Sequence, residues 1–349
     1  MKIIGYDIGG ANIKASFIQN EKLISNYIKY FPMWTSEINQ LSIVINEIKK
    51  QITNNDKLDA IAITMTAELS DAFYTKREGI LQITNSLKQV FHNDLDNLYF
   101  INIYGNFIKI EEVFKNPLSI AAANWVATSK YVGKMYKNCI LIDIGSTTTD
   151  IIPILNNSPT IYGKNDTDRL LSGELVYTGV LRTEIPSITH EVPYKNQFCR
   201  ISSEKFALSA DIHLVLEHIN ESDYKSDTAD NRAKNRKDSL ARIARIICAD
   251  LEMLSENEII DIAKYIYSKQ IDQIYAALKQ IITLMDYPNV LKLPIIVTGL
   301  GSDFLAKIVA SKVGFDNIIN LNQILGHEGG IVAPSAAIAF LLEENIKEE

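Results

Sequence analysis

The sequence predicts an α/β fold of two similarly built domains, each a mixed sheet with flanking helices. Three observations carry this reading. The chain has 349 residues, enough for two domains at roughly 100–200 residues each. β-Branched strands alternate with amphipathic helices over most of its length. One local pattern also occurs twice: a buried strand, a terminal aspartate, a glycine turn and a returning strand.

Residues 2–6 read as a strand, followed by a glycine turn at 7–10 and further strands at 12–18 and 22–29. Residues 37–50 read as a helix, with Ile38, Leu41, Val44, Ile45 and Ile48 on one face. Buried strands are expected at 58–64 and 98–104, and a small-residue helix at 117–131, with Pro117 in its first turn. The opening pattern returns with a strand at 138–145 and another at 147–155. Helices are expected at 239–254, from Ser255 to about 267, and at 271–285; Ser255 and Glu258 suit a capping box. The polar stretch 220–237 reads as a mobile surface loop. A strand at 293–298 leads into Gly299-Leu300-Gly301, and a last helix spans 334–342 before a Glu-rich tail expected to fray.

Composition excludes several classes. Hydrophobic residues make up 47% and charged residues 22%, which is globular rather than disordered. The net charge of −7 gives no footprint for nucleic acid or an anionic membrane. Cys139, Cys199 and Cys248 contain no CxxC, so neither a disulfide framework nor a structural zinc is expected. No apolar run reaches the roughly 18 residues of a membrane span. The opening residues meet Asp7 early and lack a signal-peptide core. A soluble, cytoplasmic protein with small-molecule partners is expected.

The two turns carry the chemistry. They read Asp7-Ile8-Gly9-Gly10 and Asp143-Ile144-Gly145-Ser146. A glycine turn lets backbone N–H groups approach a phosphate. An acid at the strand end repels phosphate and makes sense if it holds magnesium. Gly9, Gly10, Gly145, Ser146, Thr147 and Thr148 are therefore candidate phosphate ligands, with Thr149 beside them. Asp7 and Asp143 are candidate metal ligands, expected to face one another across a central cleft. Lys14 is placed to neutralise the anion.

These residues resemble the actin/hexokinase/Hsp70 superfamily. Asp7–Lys14, Asp143–Asp150 and Thr298–Gly301 look like its two phosphate loops and its adenosine-side loop, so Gly299 and Gly301 are nucleotide-side candidates. Residues 117–131 and 329–342 look like its two hinge helices. The resemblance implies a two-domain RNase H-like fold. Its boundaries are 1–130, 131–330 with a helical insertion, and 331–349 as a helix returning to the first domain. Ala11 and Asn12 stand where sugar kinases of this type usually carry Thr or Ser. Magnesium is thus the expected cofactor, and ATP is left open.

A closer resemblance rests on 64–71, Lys76, Glu78-Gly79, 122–125, Asp168-Arg169-Leu170, 173–179 and Arg182-Thr183. These pieces resemble hydantoinase/oxoprolinase-like proteins linked to tetrahydromethanopterin one-carbon metabolism. The resemblance implies a transferase of methanofuran biosynthesis. It would join the phenol oxygen of gamma-glutamyltyramine to (5-aminomethylfuran-3-yl)methyl diphosphate, forming an aryl–alkyl ether and releasing diphosphate. Glu68 is the first choice for the base that takes the phenol proton, and Asp71 the second. Arg169 and Arg182 suit the glutamyl carboxylate. Tyr177 or Trp125 suits an aromatic ring, and Asn124 a cleft-facing contact. His190 receives no role. The competing readings are an ATP-dependent kinase or amide hydrolase, and a nucleotide-switched protein without catalysis.

Overall fold

Three antiparallel strands open the chain: β1 (Lys2–Ile8), β2 (Asn12–Gln19) and β3 (Lys22–Tyr30). The computed structural model describes residues 1–54, 56–325 and 332–348. α1 (Ile38–Thr53) follows, burying Leu41, Ile45, Ile48 and Ile52. β4 (Ala60–Met65) then joins β1 in parallel, every residue buried. After α2 (Lys76–Val90) come β5 (Leu98–Ile101) and β6 (Phe107–Lys109). The first sheet has the order β3-β2-β1-β4-β5-β6. A helical connection carries the chain from β4 to its parallel neighbour, as parallel pairing requires.

The second sheet repeats this plan. β7 (Cys139–Ile144) and β8 (Thr149–Leu155) match β1 and β2, and β10 (Leu175–Val176) matches β3. β13 (Ile295–Thr298) and β14 (Ile318–Asn320) join in parallel as β4 and β5 do. The order is β10-β8-β7-β13-β14. The architecture is thus the mixed α/β, actin/hexokinase-like one. By internal packing one unit comprises Met1–Cys139, Ile152–Asp168 and Leu321–Glu349. The other comprises Ile140–Ile151 and Arg169–Asn320.

Register supplies a relation that spacing could not. Asp7 on β1 stands opposite Thr64 on β4. Asp143 on β7 stands opposite Thr298 on β13. Each sheet therefore ends its two central parallel strands in the same Asp–Thr pair.

Several expected elements change. The helix expected at 117–131 is two pieces: a 3₁₀ turn at Pro117–Ile120, then α4 (Asn124–Met135). Ala122 between them is left-handed, with φ of 49°, which no helix accommodates. The helix expected at 239–254 is α7 (Arg236–Arg245), started three residues earlier by the side chain of Asn235 accepting from Asp238 N. It stops early, and Cys248 beyond it has φ of 58°. The helices expected at 255–267 and 271–285 are one, α8 (Glu256–Leu284), with the capping box of Ser255 and Glu258 in place. The strand expected at 98–104 ends at Ile101, where Asn102 Oδ1 accepts from Tyr104 N and Asn106 N to form a turn.

The polar stretch 220–237 is pinned rather than loose. Asp230 accepts from Arg242 and Arg245 at 3.0 Å each, and Tyr224 is buried. Beside this segment lies a helical core of Val215, Ile243, Ile259, Ile262 and Ile266, and Arg236 Nη1 donates to Val215 O. The C-terminal helix, Ala333–Glu348, packs on the first sheet, where Ser335 and Ser16 share a buried hydrogen bond of 2.7 Å. Gly329, where a hinge helix was expected to start, lies outside the described residues, as does the last residue of the tail. No helix among the described residues is long and apolar enough to cross a membrane.

Candidate functional site

The first unit presents one aspartate and one glycine turn at the end of β1. Gly9 N–H donates to Asn12 O at 3.0 Å and closes the turn. Phe31 N and Met33 N donate to Ala11 O and Gly10 O, which fixes its outer edge. A Cβ at Gly10 would meet nothing within 4 Å, so the turn leaves open space there. Asp7 is buried, and Lys14 Nζ across the hairpin lies 3.8 Å from its Oδ2. Thr64 Oγ1, opposite Asp7, is buried and has no hydrogen-bond partner among the described residues.

The second unit closes its turn by the same bond: Gly145 N–H donates to Thr148 O at 2.9 Å. Here a further segment clamps the turn. Val180 N donates to Gly145 O, and both Leu181 N and Arg182 N donate to Ser146 O. Arg182 Nη1 donates to Thr147 Oγ1 at 3.2 Å. Ser146, Thr147 and Thr148 are half-buried. Thr149, also expected to offer a hydroxyl, is fully buried and spends it on Thr178 O.

Beyond β13 the chain turns back onto β7. Gly299 has φ of 83°, and a Cβ there would lie 2.5 Å from Asp143 Oδ1 and 2.4 Å from Ile144 O. Both the left-handed backbone and the close approach demand glycine. The missing side chain leaves the Asp143 carboxylate its place. Gly301 packs similarly, with Ile144 Cγ2 2.6 Å from where its Cβ would stand.

Glu68 follows β4 in the first turn of a short 3₁₀ helix, Ala67–Leu69. It is 1% exposed, and neither carboxylate oxygen makes a hydrogen bond of ordinary geometry among the described residues. Burial pushes its carboxyl up to about 7. The N–H groups of Glu68 itself and Ala122 pull the other way, so the left-handed Ala122 aims its amide at this acid. Asp166 raises it further and Lys76 opposes that. These two form their own ion pair at 2.6 Å. A carboxyl held near neutrality can take a proton and still be ionised part of the time.

The remaining candidates are sorted by their surroundings. Arg169, expected to hold a substrate carboxylate, is buried, and its Nη2 donates to Asp150 Oδ1 at 2.8 Å and to Glu174 O at 3.1 Å. That is an internal brace rather than a substrate fork. Arg182 lies beside the second turn, where it donates to Thr147. Tyr177 is 58% exposed, Trp125 is core, and Asn124 is half-buried at the start of α4. Asp71 and His190 are exposed. Sequence reasoning placed Thr64 and Thr298 in motifs but gave them no role of their own, and it missed Asp166. The threonines had no local signal beyond closing a buried strand. Asp166 meets Lys76 only after folding.

No group of three or more His, Cys, Asp and Glu side chains suited to a metal occurs among the described residues. Magnesium does not demand one. It keeps several waters and needs one or two carboxylates plus phosphate oxygens. Asp7, and Asp143 with the room Gly299 leaves it, match that donor chemistry.

Comparison with known proteins agrees with this architecture. The hydantoinase/oxoprolinase profile matches residues 59–345. The (4-{4-[2-(gamma-L-glutamylamino)ethyl]phenoxymethyl}furan-2-yl)methanamine synthase of Methanocaldococcus jannaschii is 37% identical over 346 residues, 99% of this chain and 98% of its own. The synthase of the same name from Methanococcus vannielii is 37% identical over 212 residues, 60% of this chain and 93% of its own. Among solved structures, nucleotide-free acetone carboxylase shares the fold with a TM-score of 0.59 at 11% identity, over 97% of this chain and 70% of that one. The chain belongs to the hydantoinase/oxoprolinase family, together with these archaeal furan-methanamine synthases.

Proposed function

We propose that this enzyme forms an aryl–alkyl ether in methanofuran biosynthesis. It would join gamma-glutamyltyramine to (5-aminomethylfuran-3-yl)methyl diphosphate and release diphosphate. The observation that carries the reading is the end-to-end identity with a synthase whose named product contains a phenoxymethyl link to furan. Such a link forms when a phenol oxygen displaces a leaving group from the methylene on the furan ring.

The residues fit the steps. Glu68 takes the proton from the phenol O–H. The phenoxide oxygen attacks the methylene carbon, and the carbon–oxygen bond to diphosphate breaks with its electron pair leaving on diphosphate. Glu68 then returns its proton to solvent. A phenol has a reference pKa near 10, so the base matters most at this first step. The second turn, with Thr147 and Arg182, offers hydroxyl and guanidinium donors to the departing anion. Lys14 supplies a cation beside the first turn. Asp7 and Asp143 would each offer a carboxylate to magnesium, which would neutralise charge on the leaving group.

The test is incubation with the furan diphosphate, magnesium and candidate phenols, with and without ATP, followed by mass analysis. One ether and one diphosphate per turnover are expected. A phosphorylated product formed at the expense of ATP would replace this reading with a kinase.

A further inference from the structure

A chain of buried polar groups runs through the second unit and ends on its glycine turn. His213, on α6 (Ser209–Val215), is fully buried. Its Nδ1 lies 3.1 Å from His218 Nδ1, and its Nε2 lies 3.0 Å from Gln270 Oε1. Gln270, midway along α8, is 1% exposed. Its Nε2 donates to Gly179 O at 2.9 Å and to Thr178 Oγ1 at 3.1 Å. Gly179 rests on the turn itself: a Cβ there would lie 2.6 Å from Thr147 N and 2.7 Å from Ser146 C.

The acceptors assign every proton. Gly179 O can only accept, so the amide nitrogen of Gln270 faces it. The amide oxygen therefore faces His213, whose Nε2 must carry hydrogen. A neutral imidazole then has a bare Nδ1, which accepts from His218 Nδ1–H. Burial holds His213 far below the usual imidazole range, at about 3, so the neutral ring is the resident form. Tyr267 and Phe304 pack against both imidazoles. A polar chain in an aromatic core is expensive unless fully satisfied. Leucine or phenylalanine would fill the same space at less cost, so this chain needs a use beyond packing.

We propose that Gln270, aligned by His213, is a positioning residue that holds segment 178–182 against the second glycine turn and so sets its affinity for diphosphate. The proposal rests on the reading of that turn as a phosphate site. Gln270 contacts the clamp, and the clamp supplies Val180, Leu181 and Arg182 to the turn. Without the Gln270 amide, Gly179 O keeps only the Thr183 hydroxyl as a buried donor, at 3.1 Å, and the clamp is held less firmly on the turn. No residue of the chain His218–His213–Gln270 belongs to the reacting groups named above.

The test measures binding of inorganic diphosphate, with magnesium, to the full chain by calorimetry, alongside melting temperature. Gln270→Met keeps the length but removes both polar atoms. We expect about a tenfold weaker Kd, the loss of roughly one hydrogen bond. KM for the diphosphate substrate should rise in step, while KM for the phenol stays near wild type. His213→Phe replaces the imidazole with an apolar ring, leaves the Gln270 amide in place without its alignment, and should fall between wild type and Gln270→Met. It is read in the same way if Gln270→Met does not fold. Folded variants that bind diphosphate as tightly as wild type would overturn the proposal. A wild-type protein that binds no diphosphate would overturn the phosphate reading of the turn and this proposal with it.

Discussion

Gly79 lies against the backbone of Glu68. A methyl group on Gly79 would stand 2.7 Å from Glu68 O and 2.8 Å from its Cα. The α2 residue thus sets where the candidate base sits, from eleven positions further along the chain. Gly79→Ala must push that backbone aside. Overpacking of this kind costs about 1–3 kcal/mol, more than the helix gains from alanine. Misplacing a reacting group by about 1 Å can cost roughly 100-fold in rate. We expect a lower melting temperature together with a fall in kcat of tenfold or more. Unchanged kcat in the folded variant would remove Glu68 from the reacting groups.

Glu68→Gln keeps shape and removes basicity. Turnover should fall by about 10²–10⁴-fold. The wild-type rate should climb with pH through about 7, where Glu68 ionises, and the variant should lose that limb. A more acidic phenol needs less help, so the defect should shrink with it. Equal loss with every phenol would make Glu68 a structural residue.

The same substitution makes a stability prediction with a definite sign. The Glu68 carboxyl is raised in the folded protein, from 4.5 to about 7. Between those values the folded state binds more protons than the unfolded one, so stability falls as pH rises. The loss is complete above about 7 and amounts to roughly 3 kcal/mol at most. Glu68→Gln should therefore melt higher than wild type at pH 8, with the advantage gone below pH 4.5. A variant that melts lower at pH 8 would contradict burial as the cause that raises this carboxyl.

Turnover should require magnesium. Asp7→Asn and Asp143→Asn each remove one charged oxygen ligand and should shift the magnesium dependence to higher concentration while the fold persists. Gly299→Ala should shift that dependence in the same direction and also lower the melting temperature, since its methyl group would crowd both the Asp143 carboxylate and Ile144 O. Full activity in excess chelator is the result that would exclude the metal.

Arg242 and Asp211 form a fully buried pair at 2.8 Å under segment 220–237, with Tyr224 and Ser239 on the same carboxylate oxygen. Arg242→Met strands the Asp211 charge and should cost about 3–5 kcal/mol in denaturant unfolding. The double variant Arg242→Met/Asp211→Leu should recover much of that loss. If the double variant is as unstable as the single one, packing rather than charge explains the cluster.

The sequence by itself determined the plan of two alike α/β halves, because a strand, an aspartate and a glycine turn are local features with local signals. It located Asp7, Asp143, both glycine turns and the Ser255 cap for the same reason. It also singled out Glu68, since an acid just beyond a buried strand is visible in the order of residues. Tertiary structure decided the rest. Only strand register sets Thr64 beside Asp7 and Thr298 beside Asp143. Only packing shows that Arg169 is spent on Asp150 while Arg182 reaches Thr147. Both arginines looked alike in sequence, because a guanidinium carries the same charge whether a partner consumes it or not. The break at Ala122 was invisible because three alanines favour helix. The left-handed backbone at the middle one follows from how the chain joins Ile120 to α4, and it turns an amide toward Glu68. Gln270 reads as one polar residue on a long helix. Its partners are distant in sequence, and pairing at that distance is a property of the folded chain alone.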